Sequence, residues 1–141
     1  MTAPSQVVVL GSTGSIGRQT LEIVERYSDR YQVLALAALA EVELLIQQIE
    51  RFKPLYVAVG DDKAYTLLKS RVGSGVKVAA GIEGLCEMAA LPQADISLVA
   101  LSGAVGIRPT MAAVEAGKRV ALANKETLVA AGDLVMNKVK A

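Results

Sequence analysis

The chain has 141 residues, of which 52% are hydrophobic and 21% charged, with 15 basic residues against 14 acidic ones. This length and composition are typical of one globular domain, and no apolar run is long enough to span a bilayer. The balanced charge and the aromatic content of only 4% argue against a nucleic-acid-binding surface. Because histidine is absent, the commonest general base and the commonest metal ligand are both missing.

Strand-like and helix-like segments alternate along the whole chain. The predicted strands are Val7–Leu10, Tyr31–Ala38, Leu55–Val59, Val76–Ala79, Asp95–Leu101 and Arg119–Leu122. The predicted helices are Ser15–Tyr27, Glu41–Phe52, Asp61–Val72, Ile82–Leu91, Thr110–Ala116 and a last helix from Asn124 onward. Since strict alternation with connections of this length is typical of βαβ units, we expect an α/β fold, Rossmann-like and doubly wound, with a mainly parallel sheet.

The N-terminus and the cysteine content bear on location. Residues 1–6 show no basic segment followed by an apolar stretch, so no signal peptide is predicted. Cys86 is the single cysteine and cannot form an internal disulfide. A reducing compartment, the cytoplasm, is therefore the expected location, and Cys86 itself is expected to be a small core residue.

A glycine-rich turn follows the first strand directly and precedes a helix. Its spacing is G-x-x-G-x-x-G, with Gly11, Gly14 and Gly17 as the glycines and Thr13, Ser15 and Ile16 between them. The first glycine allows a sharp turn, the second a close approach to a pyrophosphate, and the third tight packing of the helix on the sheet. An ordinary glycine-rich turn is the alternative, but the setting inside a βαβ unit favours a phosphate site.

The end of the second strand is where a Rossmann domain contacts the nucleotide ribose. An acid there is typical of NAD sites and a basic residue of NADP sites. Glu41 stands close to this position, and it could contact a ribose hydroxyl or simply be an acid that favours the start of a helix. The segment from Leu39 to Glu43 offers no Lys or Arg for a 2′-phosphate.

Asn124, Lys125 and Glu126 follow the last predicted strand, at the edge where parallel sheets bind ligands. Asn124 suits a helix N-cap and Glu126 a first helical turn, so two of the three have a purely structural explanation. Lys125 does not, because the helix dipole disfavours a cation there. Tyr65 and Lys69 have the Tyr-x-x-x-Lys spacing of short-chain dehydrogenases, but they fall on the third helix, and a solvated helix face is the better interpretation.

Three blocks of this sequence resemble the deoxyxylulose-phosphate reductoisomerase family. They are the glycine turn with Thr20-Leu21, the segment Gly106-x-x-Pro109-Thr110-x-Ala112-Ala113 with Glu115-Ala116-Gly117-Lys118, and Ala121-Leu122-Ala123-Asn124-Lys125-Glu126-Thr127-Leu128-Val129. The resemblance covers the chain from end to end, and the last block is the most specific.

The resemblance implies an NADPH-dependent enzyme of isoprenoid precursor synthesis. Such enzymes rearrange 1-deoxy-D-xylulose 5-phosphate and reduce the product to 2-C-methyl-D-erythritol 4-phosphate. By position, Thr13, Gly14, Ser15 and Ile16 would form the pyrophosphate turn between Gly11 and Gly17, which are also expected to contact the cofactor. Asn124 and Glu126 would lie on the nicotinamide side, and Lys125 would contact the substrate. Ala100 to Gly103 would line the nicotinamide, with Ser102 where the family usually has Val.

The resemblance also implies features that this chain lacks. The family usually has Gly, a variable and often basic residue, and Asn after its second strand, whereas this chain has Leu39-Ala40-Glu41. An acid there would repel the 2′-phosphate of NADPH. The family binds Mg²⁺ or Mn²⁺ through an Asp-x-Glu motif beyond this sequence, so residues 1–141 are expected to be the dinucleotide-binding domain only, without the metal-binding and C-terminal helical domains. No catalytic residue and no metal ligand is expected in this chain, and the whole enzyme is expected to be a homodimer.

Three functions remain open at this point. The chain could be the cofactor half of a reductoisomerase, a stand-alone nucleotide-binding module, or a small dehydrogenase with its own active site. The Asn124-Lys125-Glu126 block favours the first, the absence of a metal motif keeps the second open, and the lack of histidine argues against the third.

Overall fold

The computed structural model describes residues 3–123. Its strands are Ser5–Leu10 (β1), Tyr31–Ala38 (β2), Tyr56–Val59 (β3), Lys77–Ala80 (β4), Ile96–Val99 (β5) and Arg119–Leu122 (β6). Its helices are Ser15–Arg26 (α1), Val42–Phe52 (α2), Asp62–Arg71 (α3), Gly81–Ala89 (α4) and Ile107–Glu115 (α5), with a short 3₁₀ turn at Gly103–Gly106. Within this part of the chain, no helix is both long and apolar enough to cross a membrane.

The strands form one six-stranded sheet in the order β4-β3-β2-β1-β5-β6, and every neighbouring pair is parallel. This confirms the predicted α/β, Rossmann-like architecture. The chain moves outward from β1 to β4, and then crosses to the other side of β1 to form β5 and β6. The order therefore reverses between β1 and β5, and such a switch point leaves a crevice at the carboxyl ends of the two strands.

Helices cover both faces of the sheet. On one face Val7 and Val9 pack with the apolar sides of α1, α2 and α3, and on the other Val8 and Leu10 pack with α4 and α5. Because strands buried on both faces need apolar side chains at successive positions, the strands read as continuous apolar runs rather than alternating ones. An extra residue in β2 shifts the register after Val7, which pairs with Val33, whereas Val8 pairs with Ala35.

The element boundaries follow the predictions with small, explicable differences. Tyr31–Ala38 and Arg119–Leu122 are as predicted, and α2 begins one residue later than expected, so that Glu41 is its N-cap rather than its first residue. Helix α5 begins at Ile107 instead of Thr110, because Pro109 is its third residue, where no intrahelical N–H bond is required. The helix predicted from Asn124 lies outside the described residues.

Candidate functional site: the crevice beside the glycine turn

The glycine turn joins β1 to α1 at the switch point of the sheet. Two of its glycines are required by the protein's own packing. A Cβ on Gly11, whose φ is +93°, would lie 2.4 Å from the carbonyl oxygen of Ala100, and a Cβ on Gly17 would lie 2.1 Å from that of Gly11. No side chain fits at such distances, so Gly11 brings the turn against the end of β5 and Gly17 brings α1 against the turn.

Gly14 is different, because nothing in the described structure requires a glycine there. Its φ of −79° and ψ of 176° are open to any residue. A Cβ would meet only the carbonyl oxygen of Gly11, at an ordinary distance of 3.7 Å. The missing side chain therefore leaves open space in front of the first turn of α1, which is what a group approaching the backbone from outside would need.

The start of α1 presents hydrogen-bond donors to this space. The first backbone N–H bonded inward is that of Arg18, which donates to the carbonyl oxygen of Gly14 at 2.9 Å. The N–H groups of Ser15, Ile16 and Gly17 have no acceptor among the described residues, and α1 has no acidic side chain in its first turn. Free donors together with the positive end of the helix dipole make this a favourable place for an anion.

A cleft of about 250 Å³ opens beside these donors. One wall is formed by Gly14, Ser15 and Ile16, and the other by residues that follow β5 and β6, namely Ala100, Leu101, Ser102 and Ala123. Three of the four residues expected to line the nicotinamide, Ala100, Leu101 and Ser102, therefore lie beside the glycine turn. A cleft of this size suits the middle of a dinucleotide rather than the whole of it.

The glycine turn is also fixed to the end of β2. The backbone N–H groups of Gly11 and Ser12 both donate to the carbonyl oxygen of Ala37, at 2.8 and 3.0 Å. Gln48, a buried residue of α2, donates from Nε2 to the carbonyl oxygen of Ser12 at 2.8 Å. The turn is thus held between β2 and α2, and the loop that starts with Leu39 begins next to it.

Glu41 is exposed at the N-cap of α2, and its side chain accepts no capping hydrogen bond. The nearby Glu43 is instead engaged by Arg71, whose Nη1 lies 2.9 Å from its carboxylate. The carboxylate of Glu41 therefore does not cap the helix that follows it, and it remains available to a ligand at the end of β2.

Two other sequence candidates have clear outcomes, and a third lies outside the described residues. Tyr65 is half-buried against the core while Lys69 is exposed, so this pair belongs to the packing of α3. Cys86 was expected in the core but is only half-buried, and its partial burial raises the pKa of the thiol. Asn124, Lys125 and Glu126 lie outside the described residues, although the preceding Ala123 lines the cleft beside Gly14.

Gln48 and Arg18 belong to no sequence motif, and only the structure draws attention to them. Gln48 lies between the buried Leu45 and Ile49 on the apolar side of α2. A polar residue at a core position is the signal that could have identified it, because a buried amide needs a partner. No sequence signal marks Arg18, because an exposed arginine in a helix is ordinary. Its place in a groove between α1 and α2 becomes visible only in the structure.

Known proteins are similar to this chain over nearly its whole length. A family model described as 1-deoxy-D-xylulose 5-phosphate reductoisomerase matches residues 7–132. The reductoisomerase of Heliobacterium modesticaldum is 51% identical over 134 residues, covering 93% of this chain and 34% of that protein. That of Thermodesulfovibrio yellowstonii is 46% identical over 135 residues, covering 96% and 35% respectively. The chain thus spans about a third of the length of these curated relatives.

Solved structures agree with the sequence matches. The 1-deoxy-D-xylulose 5-phosphate reductoisomerase from Zymomonas mobilis in complex with NADPH superposes with a TM-score of 0.92 at 44% identity, covering 99% of this chain and 37% of that one. A DOX-P reductoisomerase in complex with NADPH, fosmidomycin and magnesium superposes with a TM-score of 0.93 at 38% identity, covering 96% and 34%.

Proposed function

Because the chain belongs to the 1-deoxy-D-xylulose 5-phosphate reductoisomerase family, we propose that residues 1–141 are the domain that binds NADPH in such an enzyme. The observation that carries this proposal is the open space at Gly14 in front of three free backbone donors at the start of α1. The whole enzyme would convert 1-deoxy-D-xylulose 5-phosphate to 2-C-methyl-D-erythritol 4-phosphate, with NADPH supplying the hydride.

We assign the cofactor contacts as follows. The pyrophosphate would lie over the first turn of α1, against Gly11, Thr13, Gly14, Ser15, Ile16 and Gly17. The hydroxyl of Ser15 accepts a hydrogen bond from Gln19 at 3.1 Å, so its own hydrogen is free for a phosphate oxygen. Glu41 would stand beside the adenosine ribose, Asn124 and Glu126 beside the nicotinamide, and Lys125 beside the substrate.

A divalent metal does not fit the part of the chain that the structure describes. No three His, Cys, Asp or Glu side chains come together within residues 3–123, whereas Mg²⁺ and Mn²⁺ prefer several oxygen ligands. We propose that the metal-binding carboxylates belong to a part of the enzyme that this chain does not contain. The same observation supports the second candidate, a nucleotide-binding module that performs no reaction.

The remaining assignments rest on the sequence and the family. A cytoplasmic location, a homodimeric whole enzyme, a sugar-phosphate substrate, a role in isoprenoid precursor synthesis and no nucleic-acid partner all stay predictions. Gel filtration of the chain at several concentrations would test self-association of this domain directly.

Calorimetric titration of the chain with NADPH tests the proposed function. We expect saturable binding of one nucleotide per chain, because the backbone donors at the start of α1 are already free and oriented without a ligand. Adenosine without phosphates is the control ligand, and it should bind far more weakly since it cannot use the donors of α1. Equal affinity for adenosine and NADPH, or no binding of either, would contradict the proposal.

Glu41 is expected to weaken the preference for NADPH over NADH. A carboxylate facing the 2′-phosphate of NADPH adds like-charge repulsion of about 1 kcal/mol at a hydrated site, which is about a fivefold change in affinity. The substitution Glu41→Asn should therefore strengthen NADPH binding and leave NADH binding nearly unchanged, as measured by titration with both nucleotides. The double variant with Leu39→Gly should bind NADPH at least as well as Glu41→Asn alone.

Glu50→Asn, which removes an exposed acid from the far end of the same helix, is the matched control. Leu39 does not have a positive φ, so the backbone of the loop does not itself demand a glycine. If the unaltered chain already binds NADPH much more tightly than NADH, and Glu41→Asn changes nothing, Glu41 faces solvent and favours only the start of α2.

A further inference from the structure

A second groove, of about 430 Å³, lies between α1 and α2 on one face of the sheet. Its walls include Arg18 and Glu22 from α1, and Leu44, Gln47 and Gln48 from α2. Both helices begin at the carboxyl edge of the sheet, which also carries the glycine turn. The upper end of the groove is the end at this edge, next to the starts of α1 and α2.

Hydrogen bonds connect this upper end to the place where the nucleotide ribose is expected. Gln48, in the groove wall, donates to the carbonyl oxygen of Ser12 in the glycine turn. Ser12 in turn donates from its N–H to the carbonyl oxygen of Ala37, in the penultimate residue of β2. Rossmann domains hold the adenosine ribose beyond the end of their second strand, and the 2′-phosphate of NADP is accommodated by a nearby arginine.

Arg18 lines this groove from the start of α1, and its positive charge is not neutralised by an ion pair within residues 3–123. The side chain is exposed in the first turn of α1 and has no ion-pair partner among the described residues. Glu22 is four residues further along the helix but forms no ion pair with Arg18, and an arginine preceding a glutamate is the weaker order for such a pair.

Arg51, the other arginine in the groove wall, differs from Arg18 because it forms an ion pair. Arg51 is held by Glu25 through two hydrogen bonds, from Nε and Nη2, and this carboxylate raises the pKa of the guanidinium further. A cation already paired in this way has less to offer an incoming phosphate, whereas Arg18 can turn its whole fork of donors to one.

The loop after β2 has no positively charged side chain to bind a 2′-phosphate. Leu39, Ala40 and Glu41 carry no basic group, and the next acid, Glu43, is paired with Arg71. Any positively charged side chain for a 2′-phosphate at this edge must therefore come from outside the loop.

We propose that Arg18 binds the 2′-phosphate of NADPH from the first turn of α1, and so performs the task that basic residues after the second strand perform in other NADP-binding domains. The proposal rests on the proposed function, since it assumes that the pyrophosphate lies over the start of α1. Arg18 attracts and Glu41 repels the same phosphate, so the two side chains together set the preference between NADPH and NADH.

The test is titration of the Arg18→Gln chain with NADPH and with NADH. Losing one charge-assisted, forked contact should lower the affinity for NADPH about tenfold and leave that for NADH nearly unchanged. Arg18→Lys should restore part of the NADPH affinity, because it keeps the charge but not the planar fork. The difference between Arg18→Gln and the unaltered chain should shrink as the salt concentration rises.

Two matched variants identify the source of the effect. Arg26→Gln removes an exposed arginine from the last turn of the same helix and should alter neither affinity. Lys63→Gln removes a cation from the first turn of α3, and a larger loss of NADPH affinity there than at Arg18 would overturn the proposal. An unchanged ratio of NADPH to NADH affinity in Arg18→Gln would also overturn it, whereas no binding of either nucleotide by the unaltered chain would overturn the proposed function as well.

Discussion

Replacing Gly14 with valine is expected to lower the affinity for NADPH by at least about a hundredfold, because two or more charge-assisted hydrogen bonds from the start of α1 would be lost. The valine side chain would fill the space in front of the free N–H groups of Ser15 and Ile16 and keep the pyrophosphate away from them. Calorimetric titration with NADPH measures the effect directly.

The same substitution should leave the fold intact, which separates binding from stability. The backbone of Gly14 is extended, a conformation that valine adopts readily, and the added Cβ meets no atom closer than 3.7 Å. Gly73→Val is the matched control, since Gly73 lies in an exposed loop with no atom within 4 Å of its missing Cβ. Both variants should unfold cooperatively, with Gly14→Val losing at most about 1 kcal/mol because valine is a poorer helix N-cap than glycine. Unimpaired NADPH binding by Gly14→Val would show that the cofactor lies elsewhere.

Much of the architecture could be predicted because local pattern and tertiary context agree. Strand positions that are buried on both faces must be apolar, and the buried run from Val33 to Ala38 made β2 recognisable. The glycine spacing after β1 identified the turn, because only glycine fits at Gly11 and Gly17. Gly117 stands two residues after the end of α5, and its φ of +74° is the left-handed conformation that favours glycine after a helix.

The site could be predicted only in part, because several of its properties arise from packing between distant segments. The glycine pattern does not distinguish Gly14, which faces open space, from Gly17, which faces the backbone of its own turn. The bond from Gln48 to Ser12 joins residues 36 positions apart, and no local pattern encodes it. The orientation of Arg18 beside α2 likewise depends on how two helices lie on the sheet.

The position of the glycine turn in the sheet fits the proposed dinucleotide site. The turn lies between the ends of β2 and β5, the two neighbours of β1. On one side the backbone N–H groups of Gly11 and Ser12 donate to the carbonyl oxygen of Ala37. On the other side Gly11 packs against the backbone of Ala100. A ligand centred on the turn can therefore extend in both directions, with adenosine over β2 and nicotinamide over β5.

The isolated chain of 141 residues is expected to show no turnover of 1-deoxy-D-xylulose 5-phosphate, with Mg²⁺ or with Mn²⁺, even while it binds NADPH. The rearrangement in this family depends on a divalent cation, and such a cation needs several carboxylate oxygens beside the substrate. Within residues 3–123 no such group of side chains exists. The remaining residues contribute two acids, Glu126 and Asp133, and the whole sequence contains no histidine.

The measurement is the loss of NADPH absorbance after addition of the sugar phosphate, with a full-length reductoisomerase as the positive control. The same preparation of the chain must bind NADPH in a parallel titration, because an unfolded sample would also be inactive. Under those conditions the rate should equal that of a sample without protein at every metal concentration. Steady oxidation of NADPH that depends on both the chain and the sugar phosphate would refute the expectation, because it would show that these 141 residues assemble a metal site and a substrate site by themselves.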